Sequence, residues 1–112
     1  MYASTVVKNG VWIMSRSIVQ QDETKCFLCG RNGRFDPLEI HHIFGGNPNR
    51  QYSDEDGLTV RLCGAGCHRN GQYAVHRNKE IMDDLQRRGQ EAYEAQIGTR
   101  DKFVKRYGRN YL

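Results

Sequence analysis

The sequence predicts an α+β fold in which strands come first, helices come last, and a metal-binding knuckle lies between them. Three observations predict it. Short β-type runs separated by turn residues fill much of residues 1–62, and an apolar repeat near 3.6 residues begins after Asn78. Four cysteines also fall into two close pairs, Cys26-x2-Cys29 and Cys63-x3-Cys67. A chain of 112 residues is the size of one domain, so a single unit spanning 1–112 is expected. Only 38% of its residues are hydrophobic, which leaves a modest core and makes a cross-link valuable.

The elements follow in order. Thr5-Val6-Val7 and Val11-Trp12-Ile13-Met14 flank Asn9-Gly10, a dipeptide suited to the positive φ angles of a type I′ turn. They predict a β-hairpin leading into Ser17-Ile18-Val19. Arg31-Asn32-Gly33-Arg34 reads as a turn and Leu38–Phe44 as a short strand, broken by Gly45-Gly46-Asn47-Pro48-Asn49. Leu58-Thr59-Val60-Arg61-Leu62 alternates apolar and polar side chains, the period of a half-buried strand, and runs into the second cysteine pair. The centre therefore reads strand, loop, strand, knuckle. Ile81, Met82, Leu85, Ala92, Tyr93 and Ile97 then mark the apolar face of a helix running to about Ile97 and stopping at Gly98. Thr99 is placed to cap a second helix carrying Phe103, Val104 and Tyr107, which Gly108 would end.

Charge is distributed unevenly. Residues 1–99 carry 12 Lys/Arg against 12 Asp/Glu, so the whole net charge of +4 comes from Arg100, Lys102, Lys105, Arg106 and Arg109 set against Asp101. A basic stretch of this kind suits a polyanion, because Lys and Arg release condensed counterions when they meet phosphates. No run approaches the ~18 apolar residues of a membrane span, and the first 20 residues lack a charged start followed by an apolar core. A cytoplasmic protein with no membrane partner is expected.

The cysteine spacing allows two ligand-bearing turns to meet around one tetrahedral Zn²⁺ held by Cys26, Cys29, Cys63 and Cys67. Disulfides would require an oxidising compartment. A thioredoxin-like redox pair would require a helix where Gly30, Asn32 and Gly33 stand. Zinc held this way would contribute directly to folding. The four histidines, His41, His42, His68 and His76, all lie between the knuckles or just beyond them. Imidazole is both a metal ligand and a base near neutral pH.

Cys-x2-Cys, then Ile40-His41-His42-Ile43 with Gly45-Gly46, then Leu62-Cys63-x3-Cys67-His68 resembles the zinc-stapled HNH nucleases of the ββα-metal superfamily. In particular the pattern resembles small phage and prophage members, and the ending Phe103–Leu112 resembles theirs. The match covers about residues 24–80, with 78–112 as a C-terminal helical extension. The resemblance implies a hairpin and helix clasping a divalent cation, Mg²⁺ or Mn²⁺, in a metal-dependent endonuclease that hydrolyses phosphodiester bonds in DNA. It assigns His42 as general base and His41 and His68 as cation ligands, with His76 as a third ligand or a phosphate contact. Arg50, Arg61, Arg69, Arg77, Lys105, Arg106 and Arg109 are the candidate DNA contacts. It also implies phage or host recombination proteins as partners and a bacterial cytoplasm as the location. Two positions depart from the family pattern. The second cysteine pair has three intervening residues, and the family's middle Asn has no direct counterpart, leaving Asp56 or Asn70 as substitutes. Two alternatives remain: a zinc-stapled nucleic-acid-binding module without catalysis, and a structural adaptor acting through the face of Ile81, Leu85 and Tyr93.

Overall fold

Strand β3 (Leu38–His42) and strand β4 (Thr59–Cys63) form an antiparallel pair that organises the centre of the chain, with His41 opposite Val60 and His42 opposite Thr59. The computed structural model describes residues 4–8 and 11–112, with side-chain surroundings from residue 15 onward. An N-terminal hairpin, β1 (Ser4–Lys8) and β2 (Val11–Ser15), pairs in the register Lys8 opposite Val11. That register agrees with the expected two-residue connection. Asn9 and Gly10, on which the type I′ expectation falls, lie outside the described residues.

The segment after β2 does not continue as strand, and Ser17 explains why. Its hydroxyl accepts the N–H groups of Val19 and Gln20 and donates to the Thr59 carbonyl at 2.6 Å, which diverts the backbone from a ladder. Gln20 continues the lacing by accepting the Arg61 N–H at 2.7 Å. The fold is thus α+β with two small antiparallel sheets, and its helices follow or interrupt the second.

The connection from β3 to β4, expected to be loop, contains helix α1 (Asn49–Asp56). Its sequence, NRQYSDED, has one large apolar residue and no side-chain cap at Pro48, so neither periodicity nor capping announces it. Tertiary partners stabilise it instead. Buried Ser53 donates to the Phe44 carbonyl and accepts the Phe44 N–H. Gly57 ends the helix at φ +72°, where a Cβ would strike the Arg16 carbonyl. Arg106 bonds to both Glu55 and Asp56, and the Tyr107 hydroxyl donates to Asp56 at 2.6 Å.

After β4 the chain forms a single π-helix (Gly64–Asn70), then α2 (Lys79–Gln96) and α3 (Arg100–Tyr107). The expectations for α3 hold, Thr99 accepting the Lys102 N–H and Gly108 closing the helix in the left-handed region, and the structure adds a cap on α2, where Asn78 accepts the Ile81 N–H. On α2, Leu85 and Tyr93 are buried as the pattern predicts, whereas Ile97 is 45% exposed because it falls past the helix end. Buried Gly89 and Gln90 were not marked by apolar periodicity. A Cβ at Gly89 would overlap Ile43 and Phe44, so glycine allows α2 to approach the end of β3. Gln90 bonds Asn110 and the Tyr111 N–H, fixing the C-terminal residues to α2.

Phe44 sits within 5.2 Å, centroid to centroid, of Phe103, Tyr107 and Tyr111, joining β3 to α3 and the C-terminus. Fully buried Leu58, Val60, Leu62 and Val75 extend the core beneath the sheet and π-helix. No helix among the described residues is long and apolar enough to cross a membrane.

Because α1 depends on Arg106, Arg106→Met should leave Asp56 with Tyr107 as its remaining hydrogen-bond partner and destabilise the fold by about 2 kcal/mol. Urea unfolding of metal-loaded protein checks this, and a loss below about 0.5 kcal/mol would show that the network contributes little.

Candidate metal centres

The first centre is built by three separate pieces of backbone. Cys26 and Cys29 lie on a knuckle closed by the Gly30 N–H on the Cys26 carbonyl at 2.9 Å, and the Phe27 N–H ties that knuckle to the Arg61 carbonyl of β4. Cys63 ends β4 and Cys67 lies on the π-helix. The three residues between these two cysteines are accommodated by the wide π turn, whose Ala65 and Gly66 N–H groups are accepted by the Asp36 carboxylate. All four Sγ atoms lie within 4.8 Å of one another.

Cys29 and Cys63 have their sulfurs 3.5 Å apart, far beyond a disulfide bond and near the ~3.8 Å edge of a tetrahedron with ~2.3 Å metal–sulfur bonds. Burial works against ionisation of Cys26, but backbone N–H groups of Cys29, Cys63 and Leu28 outweigh it and bring that thiol down to about 7. Burial, the contact with Cys29 and the Cys26 charge push Cys63 up to about 12, and burial with the same neighbours raises Cys67 further. Four thiolates this close need a compensating cation, so the donor set and its geometry fit Zn²⁺.

The second centre gathers three histidines. His41 projects from β3, His68 follows Cys67 on the π-helix, and His76 lies on the next loop, held by its N–H on the His68 carbonyl. Their ligand nitrogens lie within 4.8 Å of one another, with the Nε2 atoms of His68 and His76 3.1 Å apart. His41 is 2% exposed, and its Nε2 is buried without a hydrogen-bond partner among the described residues. Burial, then the charges of His68, His76 and His42, push His41 down to about 3; burial and His68 lower His76. Three imidazole nitrogens converging this closely suit a cation. The Glu39 carboxylate bonds His68 Nδ1 at 2.8 Å, which leaves Nε2 to face the trio. An all-nitrogen set suits transition ions better than oxygen-preferring Mg²⁺.

His42, beside His41 on β3, has a different partner. Its Nε2 lies 2.7 Å from Asp54 Oδ1 on α1. Asp54 rather than Asp56 or Asn70 therefore meets the histidine: Asp56 is engaged by Arg106 and Tyr107, and the Asn70 carbonyl accepts from Arg77. His41, His42, His68 and His76 border one concavity of about 270 Å³, together with Ile40, Gly45 and Arg50. Arg50 and Asp54, four residues apart, share a face of α1.

The remaining expected contacts are scattered. Arg61 lies 3.8 Å from Glu23, Arg69 bonds the Gly64 carbonyl and lies 3.3 Å from Glu39, and Arg77 bonds the Asn70 carbonyl. Arg109 stacks over Tyr111 and Lys105 is exposed. Arg106 is ion-paired with Glu55 and Asp56 at the end of α1. Glu39 and Asp54 were not foreseen. Strand alternation places Glu39 on the same face as His41, a signal that was readable, whereas Asp54 became meaningful only once α1 existed.

Comparison with protein-family models, curated proteins and solved structures finds no match for this chain.

The two centres predict distinct behaviour on titration. Metal-free protein should take up one Zn²⁺ tightly at the cysteines, with affinity rising as pH increases because the thiols release protons on binding. His41→Ala should retain that equivalent and lose a second, weaker one, whereas Cys63→Ala should lose the tight one. Calorimetry checks both; a His41→Ala variant still binding two ions would exclude the histidine centre.

Proposed function

We propose that this chain is a metal-dependent HNH-type endonuclease acting on DNA, with the cysteine centre holding structural zinc. The observation that carries the reading is the meeting, around one concavity, of three converging imidazoles, a carboxylate-bound histidine and an arginine. His41, His68 and His76 would hold the divalent cation, and Mn²⁺ suits them better than Mg²⁺. When bound, such an ion polarises a phosphoryl oxygen and offsets the charge that develops during hydrolysis.

His42 does the proton chemistry. With Nε2–H donated to the Asp54 carboxylate, the lone pair lies on Nδ1, which takes a proton from the attacking water. Asp54 holds the ring in that tautomer and stabilises the imidazolium formed. Arg50 lines the same concavity and has no ion pair among the described residues, so its guanidinium is available for a phosphate. DNA as partner, recombination proteins and a bacterial cytoplasm belong to the same proposal.

Plasmid nicking across Mn²⁺, Mg²⁺ and no metal tests the reading. His42→Ala should lose about 10²–10⁴-fold in rate while retaining Mn²⁺ and DNA binding. Asp54→Ala should lose less, since it removes the orienting group and leaves the base. His41→Ala should lose metal affinity and regain part of its activity at high Mn²⁺. Parent-like nicking by all three would overturn catalysis at this site and leave the binding-module alternative.

A further inference from the structure

Phe35 is 92% exposed, the most exposed large apolar side chain among the described residues. Its loop is nonetheless anchored. The Arg31 carbonyl accepts the Cys26 N–H at 2.7 Å, Asn32 Oδ1 accepts the Arg34 N–H at 2.9 Å, and the Asp36 carboxylate accepts the Ala65 and Gly66 N–H groups of the π-helix. The Arg34 guanidinium lies 5.4 Å from the Phe35 ring centroid. Neither Arg31 nor Arg34 forms a salt bridge among the described residues, and residues 31–36 surround an open concavity of about 550 Å³. A second exposed aromatic lies nearby in the bonding pattern: Tyr73, 66% exposed, follows Gly71, whose N–H donates to the carbonyl of the same Ala65 whose N–H Asp36 accepts.

We propose that Phe35, flanked by Arg31 and Arg34, is a stacking platform for an unpaired nucleobase, so that the DNA handled at the histidine centre carries a single-stranded segment. The substrate half of this statement rests on the nuclease reading; the platform does not. An apolar partner surface would cover the ring but strand two guanidiniums away from water. A nucleic acid satisfies both, offering a π-face to Phe35 and phosphates to the arginines. An intact duplex keeps its base faces stacked, whereas an unpaired base exposes them. The platform is also coupled to the site: Phe35 precedes Glu39, the partner of His68, by four residues, at most about 14 Å of extended chain.

Fluorescence anisotropy on zinc-loaded protein with a labelled oligothymidylate and a blunt duplex of equal length tests the platform without reading cleavage. Phe35→Ala should weaken oligothymidylate binding by about tenfold and duplex binding by less than about twofold. Phe35→Trp should keep the affinity, and its added indole emission, measured against a parent with Trp12 as sole tryptophan, should be quenched on binding. Unchanged binding by Phe35→Ala, equal loss on both ligands, or an unquenched Phe35→Trp would each overturn the platform. Oligothymidylate binding lost with Phe35→Ala in a protein that cannot nick plasmid would uphold the platform and overturn the nuclease reading.

Discussion

The four cysteine sulfurs are the constraint on which the remaining structure depends. They join a loop before the central sheet, the last residue of β4 and the π-helix, three pieces separate in sequence. Cys67 and His68 are adjacent, so whatever fixes the sulfur also sets where that imidazole begins. Packing cannot replace this cross-link: clustered thiolates repel, and only a cation turns their closeness into stabilisation. Metal binding and assembly of the histidine centre are thereby linked through the chain itself.

A second regularity concerns carboxylates. Each of two histidines at the concavity is oriented by one acid from a different element, His68 by Glu39 of β3 and His42 by Asp54 of α1. His41 needs none, because burial in β3 holds it neutral and its ring direction is set by the strand. Adjacent histidines thus acquire different surroundings: His41 is buried with its Nε2 unpartnered among the described residues, and His42 is hydrogen-bonded to a carboxylate. The basic tail divides similarly. Arg100 and Arg106 are consumed by Glu94 and by the acidic end of α1, so net charge overstates what is available to a polyanion.

Much of this was legible in the sequence where local chemistry decides the outcome. Thr99 and Gly108 set the ends of α3 through caps, and Leu58–Leu62 reported a strand, though not a half-buried one: Thr59 and Cys63 are buried on one face as Val60 and Leu62 are on the other. The cysteine and histidine groupings were visible as spacing. Helix α1 was not, because its stability comes from contacts of Ser53 with Phe44 and of Glu55 and Asp56 with Arg106 and Tyr107, the latter two up to 51 residues away and outside any local window. Missing α1 meant missing Asp54. Ile97 was misplaced for the converse reason: the apolar period continued one residue past the end of α2 at Gln96.

The central claim is that one polypeptide builds two chemically different metal centres side by side. Anomalous diffraction at the zinc and manganese edges, from crystals grown with Mn²⁺, tests it most directly. The account predicts a zinc peak among Cys26, Cys29, Cys63 and Cys67, and a separate manganese peak within bonding distance of His41 Nε2, His68 and His76. Manganese bound elsewhere, with the three imidazoles unliganded, would contradict it.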